Sequence, residues 1–309
     1  MSTSSAKVKQ PTQIITSTAI GAIVIPAMLC KQKVTIPANT TLNEAHKVMA
    51  AESIGPKNGS DFVVGYFGIG IKGFTPGQPD DNGISIPNPN QHAPNDFNAF
   101  FPIPHLVRRR DADLSSSERD NFRIRVPFEK DGVQYVGYWL RKLKFDEFKP
   151  VMRLITRDEL TGATSPVDYI PKDEDLHPTP QVIPSDGVVP VTNQYMKGDA
   201  KVNMSFTGVD LDEVKNACQI MYGNASYAAI SEYYVVAGIE ATNQGPIGSG
   251  SGSVSYNELK SAVITHHITE AYARDANSNG NIPLYFNIGS SSPMLVYGPR
   301  TASASSERI

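Results

Sequence analysis

Three glycines in the first half of the chain have the spacing of a dinucleotide-binding loop. Gly68, Gly70 and Gly73 match the G-x-G-x-x-G pattern, in which glycines let the backbone approach a pyrophosphate. That chemistry requires the motif to open a helix, because the helix N-terminus holds the phosphates. Pro76 and Gly77 follow almost at once and prevent such a helix. The motif therefore predicts a glycine-rich strand that packs closely against another backbone segment.

A second motif has the pattern of a calcium loop. Asp275, Asn277 and Asn279 place oxygen atoms at alternating positions, and Gly280 stands where such a loop turns. The twelfth position, which should be a bidentate glutamate, is Phe286. An Asn-Gly turn between two elements explains the same residues without an ion. We therefore expect no EF-hand, and a cation held by these side chains is the alternative.

A third group pairs histidine with a carboxylate. On a helix, His266 and Glu270 would share a face and could bind a metal ion, with His267 beside them. No third ligand follows at a recognisable spacing, and the other histidines are scattered at positions 46, 92, 105 and 177. We therefore expect the histidines to have an interface or surface role.

Local signatures of nucleophilic catalysis and phosphate binding are missing from the sequence. It contains neither a G-x-S-x-G nucleophile elbow nor a Walker loop. Together with the three motifs above, this predicts a non-enzymatic protein with no metal ion or other cofactor.

The composition favours strands and irregular connections. Hydrophobic residues make up 40% of the 309 residues and charged residues 19%, and there are 24 glycines and 23 prolines. The net charge is −3, whereas nucleic-acid-binding proteins usually carry a basic surface. Arg108, Arg109 and Arg110 form a basic run that Asp111 and Asp113 follow at once. The run predicts a salt-bridged edge, and we expect no direct contact with nucleic acid.

The two cysteines and the N-terminal region give further expectations. Cys30 and Cys218 are too few for a disulfide framework, and Cys218 is predicted to be a buried thiol.

Residues 14–29 are mostly apolar, but polar residues, Gly21 and Pro26 interrupt them, so they do not form a membrane span. We expect an extended arm or strand that packs on a neighbour, with a cleaved signal peptide as the alternative.

Periodicity and turn residues predict short elements. The clearest is a β-hairpin, in which residues 122–126 and 133–143 alternate around the turn residues Lys130, Asp131 and Gly132, with one apolar and one basic face. Residues 73–104 are proline-rich and irregular, which is typical of an arm that lies across a neighbouring subunit. Residues 256–272 fit a helix or a strand. Other helical segments are predicted at 41–53, 113–118 and 210–223, and other strands at 62–72, 151–156, 200–207, 230–241, 282–288 and 294–297.

The expected fold is mainly β with a few short helices, a β-rich α+β class with antiparallel sheets or a sandwich, long Pro/Gly/Asn-rich loops and extended arms. The acidic, proline-rich residues 158–198 suggest a division into two halves. The predicted organisation is an N-terminal arm (1–40), a β-rich domain with the central hairpin (41–160), a linker (161–198), a second β-rich domain with one helix (199–299) and a polar tail (300–309).

Segments in the middle of the chain resemble virion structural proteins of tailed bacteriophages, especially neck or baseplate components of contractile tails. They are residues 64–73 (VGYFGIGIKG), residues 103–110 (IPHLVRRR) with 114–119 (LSSSER), and residues 133–140 (VQYVGYWL). The resemblance implies a β-rich, oligomeric protein without a catalytic site. It implies other virion proteins and copies of the chain as partners, and a location in the virion after synthesis in the host cytoplasm.

In such a particle, the N-terminal run, residues 73–104 and the charged hairpin would contact neighbouring subunits. The alternative is a secreted or surface-displayed β-module that binds carbohydrate or a host receptor. Exposed aromatic residues would carry that binding, and the candidates are Tyr135, Tyr138, Trp139, Tyr233 and Tyr234.

Overall fold

The computed structural model describes residues 13–17, 34–35, 46, 53–54, 62–79, 81–143, 151–158, 160–169, 191–246, 253–275 and 281–295. Among these residues, no helix is long and apolar enough to span a bilayer. Residues 276–280 of the predicted calcium loop, the predicted tail and most of the predicted helix at 41–53 lie outside the described residues.

Strands dominate the described chain. Two α-helices, α1 (Ser116–Arg119) and α2 (Gly208–Tyr222), and two 3-10 helices, Arg110–Ala112 and Ala225–Ala228, accompany them. The strands are β1 (Gln13–Ser17), β2 (Val34–Thr35), β3 (Ser53–Ile54), β4 (Phe62–Gly70), β5 (Phe74–Thr75), β6 (Asn88–Pro89), β7 (Pro102–Ile103), β8 (Leu106–Arg109), β9 (Phe122–Lys130), β10 (Val133–Lys142), β11 (Val151–Arg157), β12 (Thr164–Asp168), β13 (Val191–Asn203), β14 (Ala229–Pro246), β15 (Ser253–Asp275) and β16 (Tyr285–Leu295).

The strands form two larger sheets, and all pairings in the described part of the chain are antiparallel. The first has the order β1-β15-β14-β4-β10-β8, with β7 paired to β4 and β9 to β10. The second has the order β12-β11-β13-β16. The expectation of a mainly β fold with antiparallel sheets and short helices is confirmed.

The chain divides into two units that are discontinuous in sequence. Unit 1 contains residues 1–143 and 205–284, and unit 2 contains residues 144–204 and 285–309. This division differs from the predicted one, because β4 from the first predicted domain pairs along its length with β14 from the second. The predicted linker contributes β12 and the start of β13 to a sheet. Short-range composition did not reveal these long-range pairings.

The hairpin of β9 and β10 forms around the predicted turn. Asp131 and Gly132 have φ values of 52° and 75°, as the two central residues of a type I′ turn require. On the basic face of this hairpin, Arg123 is fully buried. Its guanidinium contacts Glu240 at 2.9 Å and donates to the carbonyl of Asp120 at 2.9 Å, so the charge is paired inside unit 1.

The basic run at 108–110 is only partly the predicted salt-bridged edge. Arg109 lies 3.1 Å from Asp111, as expected. Arg108 instead makes a bidentate pair with Glu213 on α2. Asp113 accepts hydrogen bonds from arginines 119 and 125, at 2.8 and 2.7 Å. Burial raises the pKa of Asp113, but hydrogen bonds from Arg125 and Tyr138 outweigh burial, so its pKa lies below the ordinary value.

Local capping signals are present at both helices. In α1, Ser115 and Glu118 form a capping box, and in α2 Thr207 and Asp210 form another. The N-cap of α2 is therefore Thr207, three residues before the predicted start of the helix at residue 210. Gly223 ends α2 in the left-handed conformation. Cys218 is buried on α2, as predicted, and burial raises the pKa of its thiol to about 12.

Several predicted strands belong to different partners or have different lengths. Residues 256–272 are part of the long strand β15, and the two short strands predicted after residue 281 are the single strand β16. The strand predicted at 151–156 is β11, which pairs with β12 and β13. Strand length and partner depend on contacts that are distant in sequence.

The proline-rich segment 73–104 is not a free arm along its whole length. Its second half packs against the sheet, where His92, Ala99, Ile103 and Pro104 are buried. Residues 81–86 are exposed. The interpretation as an arm on a neighbouring subunit is therefore wrong for the second half and stays a prediction for residues 81–86.

His105 is buried between aromatic rings of unit 1. Its ring centroid lies 5.2 Å from that of Phe67 and 5.8 Å from that of Phe206. Its Nε2 donates to the carbonyl of Phe67 at 3.3 Å. Burial, with a smaller effect of the nearby Arg141 charge, lowers the pKa of His105 to about 3, so the ring is neutral in the folded protein.

This buried ring makes stability depend on pH. Because the folded pKa lies below the ordinary 6.5, the unfolded chain binds the proton first as pH falls. The contribution of His105 is therefore complete above pH 6.5 and is lost between pH 6.5 and 3, at up to about 1.4 kcal/mol per pH unit. His105→Gln keeps an N–H donor but does not titrate, so urea unfolding between pH 6 and 4 should show a slope smaller by about that amount. Equal slopes for the two proteins would contradict the prediction.

Candidate metal centre

The register of β14, β15 and β4 places Glu232, Tyr234 and His267 on the same face of the sheet, beside two glycines of β4. Tyr234 pairs with His267 on one side and with Gly68 on the other. Glu232, two residues away, pairs with Gly70. Alternate residues of a strand share a face, so Glu232 and His267 are diagonal neighbours next to the two glycines.

The glycines make room for this arrangement. A Cβ at Gly70 would lie 2.6 Å from Oε2 of Glu232 and 2.8 Å from the carbonyl oxygen of Phe101. A Cβ at Gly68 would lie 2.2 Å from the ring of Tyr234. The predicted close packing of a glycine-rich strand is therefore present, and it accommodates a buried carboxylate instead of a nucleotide.

Residues 90–101 cover the same face. Thr269 donates its hydroxyl proton to the carbonyl of Asn90 at 2.7 Å, and Asn90 donates to the carbonyl of Lys72 at 2.6 Å. A turn follows in which the amide of Ala93 donates to the side chain of Asp96 at 2.7 Å. These contacts bring a third chemical group, the imidazole of His92, to Glu232 and His267.

Glu232 is a fully buried carboxylate, 0% exposed, that accepts several hydrogen bonds. His92 Nε2 donates to its Oε1 at 2.9 Å, and the amide of Phe100 lies 3.0 Å from both oxygens. The amide of Phe101 donates to Oε2 at 3.4 Å. The carboxylate therefore connects residues 92–101 to the sheet, and its charge is compensated by donors rather than by solvent.

His92 and His267 stack face to face, with ring centroids 3.7 Å apart and planes 10° apart. Phe100 covers the other face of His92 at 3.9 Å. One nitrogen of each imidazole points to Glu232 and the other to Asp96. His92 Nδ1 lies 3.5 Å from the carboxylate of Asp96, and His267 Nε2 donates to its backbone carbonyl at 3.2 Å.

The hydrogen bond to Asp96 fixes the tautomer of His267. Because Nε2 carries the proton, Nδ1 has a free lone pair. This atom lies 3.9 Å from Oε1 of Glu232 and, among the described residues, has no hydrogen-bond partner. Burial, with a smaller electrostatic effect of the neighbouring His92, lowers the pKa of His267 to about 3, so the ring stays neutral. A buried nitrogen lone pair thus faces a buried carboxylate oxygen.

Two imidazole nitrogens and one carboxylate oxygen lie within 4.8 Å of one another. This set of donor types suits zinc and other divalent transition metals. The group is closed to solvent, because His92 and His267 are each 1% exposed. The geometry therefore favours a structural role for the group over contact with a substrate.

A family model described as "Family of unknown function (DUF7208)" matches residues 4–302 of the chain. The chain belongs to the DUF7208 family. No curated protein and no solved structure matches it. The matched range of DUF7208 contains every described residue, including the complete His92–Glu232–His267 group.

The structure separates two of the residues that the sequence of this DUF7208 protein suggested as a group. His266 and Glu270 lie on a strand, where residues four apart are about 13 Å from each other, and not on a helix. The expected surface role of the histidines is wrong for four of them, because His46, His92, His105 and His267 are buried.

Sequence reasoning missed His92 and Glu232 as partners of His267. They lie 140 residues apart, and neither belongs to a motif. The nearest signal was the pair Gly68 and Gly70. Two alternate glycines leave one face of a strand without side chains, which indicates that a bulky group packs against that face.

The aromatic residues considered for carbohydrate binding do not form an exposed surface. Tyr138, Trp139, Tyr233 and Tyr234 are buried, and Tyr135 is partly buried. Burial raises the pKa of Tyr138 to about 12, and a charge-paired hydrogen-bond network with Arg119 and Asp113 surrounds its hydroxyl. In this DUF7208 member, these rings belong to the core.

Proposed function

We propose that the chain is a non-enzymatic structural component of a phage virion, in the tail, baseplate or neck, and that it contacts several subunits. Its partners are other virion proteins and further copies of the chain, and its location is the virion. The resemblance of residues 64–73, 103–110, 114–119 and 133–140 to such proteins is the starting point of the proposal.

The observation that carries the proposal is the exposure of large aliphatic side chains on a peripheral segment. Residues 81–86 are exposed, and Ile84 and Ile86 are 60% and 53% exposed. The chain on both sides of this segment is held in short strands, since β5 pairs with β6. A restrained segment that presents two isoleucines loses little entropy when a partner covers them.

Sheet edges support the same role. Among the described strands, β1 pairs with β15 alone, and β12 pairs with β11 alone. Strand β12 is exposed along its whole length, and Val167 on it is an exposed aliphatic residue. Open edges and exposed apolar residues are the features through which β-proteins add strands from neighbouring chains.

The chemistry of the buried group is consistent with a non-enzymatic role. Glu232, His92 and His267 bring three acid–base groups within 4.8 Å of one another, and residues 90–101 cover them. A general acid or base must reach the proton of its substrate. The exposed isoleucines and the open sheet edges therefore support the assembly role, and the five aromatic residues considered for carbohydrate binding are buried or partly buried.

Particle composition tests the proposal. Mass spectrometry of purified particles should detect the chain, and a double variant Ile84→Asp/Ile86→Asp should be incorporated at least about tenfold less, since charge disfavours burial in an interface. Val209→Asp is the matched control, because Val209 is 73% exposed and lies in the first turn of α2, where an acidic residue is favourable.

Both variants should keep the unfolding midpoint of the wild type, because exposed substitutions change stability by only about 0.5 kcal/mol. Absence of the wild-type chain from the particles would contradict the proposed location. Normal incorporation of the double variant would contradict residues 81–86 as a contact surface.

A further inference from the structure

We propose that His92, Glu232 and His267 bind a structural transition-metal ion of the zinc class. The ion would join residues 90–101 to strands β14 and β15 of unit 1. This inference concerns the stability and shape of the chain, and it is independent of the particle in which the chain functions.

The distances between the donor atoms are close to those around one ion. Metal–ligand bonds of about 2.0–2.2 Å place two ligands of the same zinc ion about 3–3.5 Å apart. His92 Nε2 lies 2.9 Å and His267 Nδ1 lies 3.9 Å from Oε1 of Glu232. Side-chain torsions are enough to bring the second distance into range, because the ligands come from two paired strands and one anchored loop.

The outer contacts are those that orient metal ligands. Histidine ligands usually donate their second N–H to a carbonyl or carboxylate oxygen. His267 already does so with the backbone carbonyl of Asp96, which leaves its buried Nδ1 with a free lone pair 3.9 Å from Oε1 of Glu232. His92 Nδ1 lies 3.5 Å from the side-chain oxygen of Asp96 but makes no hydrogen bond to it. Asp96 thus orients the imidazole of His267 and lies next to that of His92.

Binding requires a change of tautomer at His92. Without an ion, its Nε2 proton is donated to Glu232. The ion takes the place of this proton on Nε2, and the proton moves to Nδ1, which faces the side-chain oxygen of Asp96. The carboxylate of Glu232 neutralises part of the charge of the ion.

The stack of the two imidazoles must also open. Nitrogen lone pairs lie in the plane of each ring, and two nearly parallel planes cannot direct both lone pairs at one ion. Rotation about the terminal side-chain torsions is soft in histidine, so the rings can tilt. Three protein ligands leave one position of a tetrahedral ion for water.

Refolding in the presence of a spectroscopic probe tests the site, because the group is buried in the folded chain. Full-length protein is unfolded in urea with EDTA, desalted and refolded with Co²⁺. We expect about one cobalt ion per chain after gel filtration, by elemental analysis, with visible d–d absorption typical of a bound ion. X-ray absorption of this sample should show nitrogen and oxygen ligands with imidazole scattering. Zn²⁺ in excess should raise the unfolding midpoint by several degrees.

His267→Gln should reduce the bound cobalt by at least about tenfold. His266→Gln is the matched control, because the adjacent side chain lies on the opposite face of β15 and should leave the cobalt content unchanged. If His267→Gln does not refold, the X-ray absorption spectrum of the wild type still decides the ligands. Wild-type protein without cobalt, a spectrum without imidazole, or equal loss in both variants would overturn the proposal.

Discussion

Replacing Glu232 with alanine should lower the free energy of unfolding by about 3–5 kcal/mol, the cost of removing one partner from a buried charged group. The carboxylate accepts from the amides of Phe100 and Phe101 and from His92 Nε2. Alanine leaves the buried His92 donor and the two part-buried amides without this acceptor, and a buried donor in that state costs about 1–3 kcal/mol. Urea unfolding followed by circular dichroism, in buffer with EDTA, measures the change.

Glu213→Ala is the matched control for this substitution. Glu213 is likewise a carboxylate with a charged partner, in this case Arg108, but both side chains are 29% exposed. Partly exposed ion pairs contribute about 0–1 kcal/mol, so this control should cost far less. The loss of unfolding free energy for Glu232→Gln should lie between those of the two alanine variants. The amide oxygen of glutamine still accepts a hydrogen bond, whereas its NH2 group faces other donors. A cost below about 1 kcal/mol for Glu232→Ala would mean that the carboxylate does not hold residues 92–101.

Gly70→Ala should destabilise the protein by about 3 kcal/mol through overpacking. The added Cβ would lie 2.8 Å from the carbonyl oxygen of Phe101, and that oxygen cannot move freely because it accepts from the amide of Ile71 at 2.9 Å. The same Cβ would lie 2.6 Å from Oε2 of Glu232. Either the strand or residues 100–101 must shift, and both movements weaken the hydrogen bonds of the carboxylate.

Gly208→Ala controls for the general effect of adding a methyl group. A Cβ there meets no described atom within 4 Å, and Gly208 is the first residue of α2. Alanine at a compatible position reduces the entropy of the unfolded chain, so Gly208→Ala should be neutral or stabilising by up to about 1 kcal/mol. Thermal unfolding of the two variants side by side makes the comparison. Equal midpoints would show that the space above Gly70 is less restricted than the contacts imply.

These two predictions concern the same structural device. The glycines at positions 68 and 70 of β4 let the carboxylate of Glu232 and the backbone of residues 100–101 approach the strand. Hydrogen bonds to the carboxylate then hold the loop in place. This explains how a proline-rich segment without long secondary structure takes a defined path over the sheet in its second half. Its first half keeps two exposed isoleucines, the residues on which the proposed assembly contact depends.

Elements governed by neighbours in sequence could be predicted from the sequence alone. The turn of the β9–β10 hairpin depends on Asp131 and Gly132, which adopt the left-handed conformation that the turn needs. The end of α2 depends on Gly223 for the same reason. The mainly β class followed from composition, since abundant Gly, Pro and uncharged polar residues favour strands and turns.

Only the tertiary structure decided the candidate site and the division into units. Which face of a strand a residue occupies depends on pairing and register, and a shift by one residue exchanges the two faces. His267 therefore joins Glu232, while its neighbour His266 does not, although the sequence pairs the two histidines. His92 reaches the same face through a loop whose path is fixed by contacts with Thr269 and Glu232. Such long-range contacts leave no local pattern in the sequence, because the residues around each partner reflect only the local strand or loop to which that partner belongs.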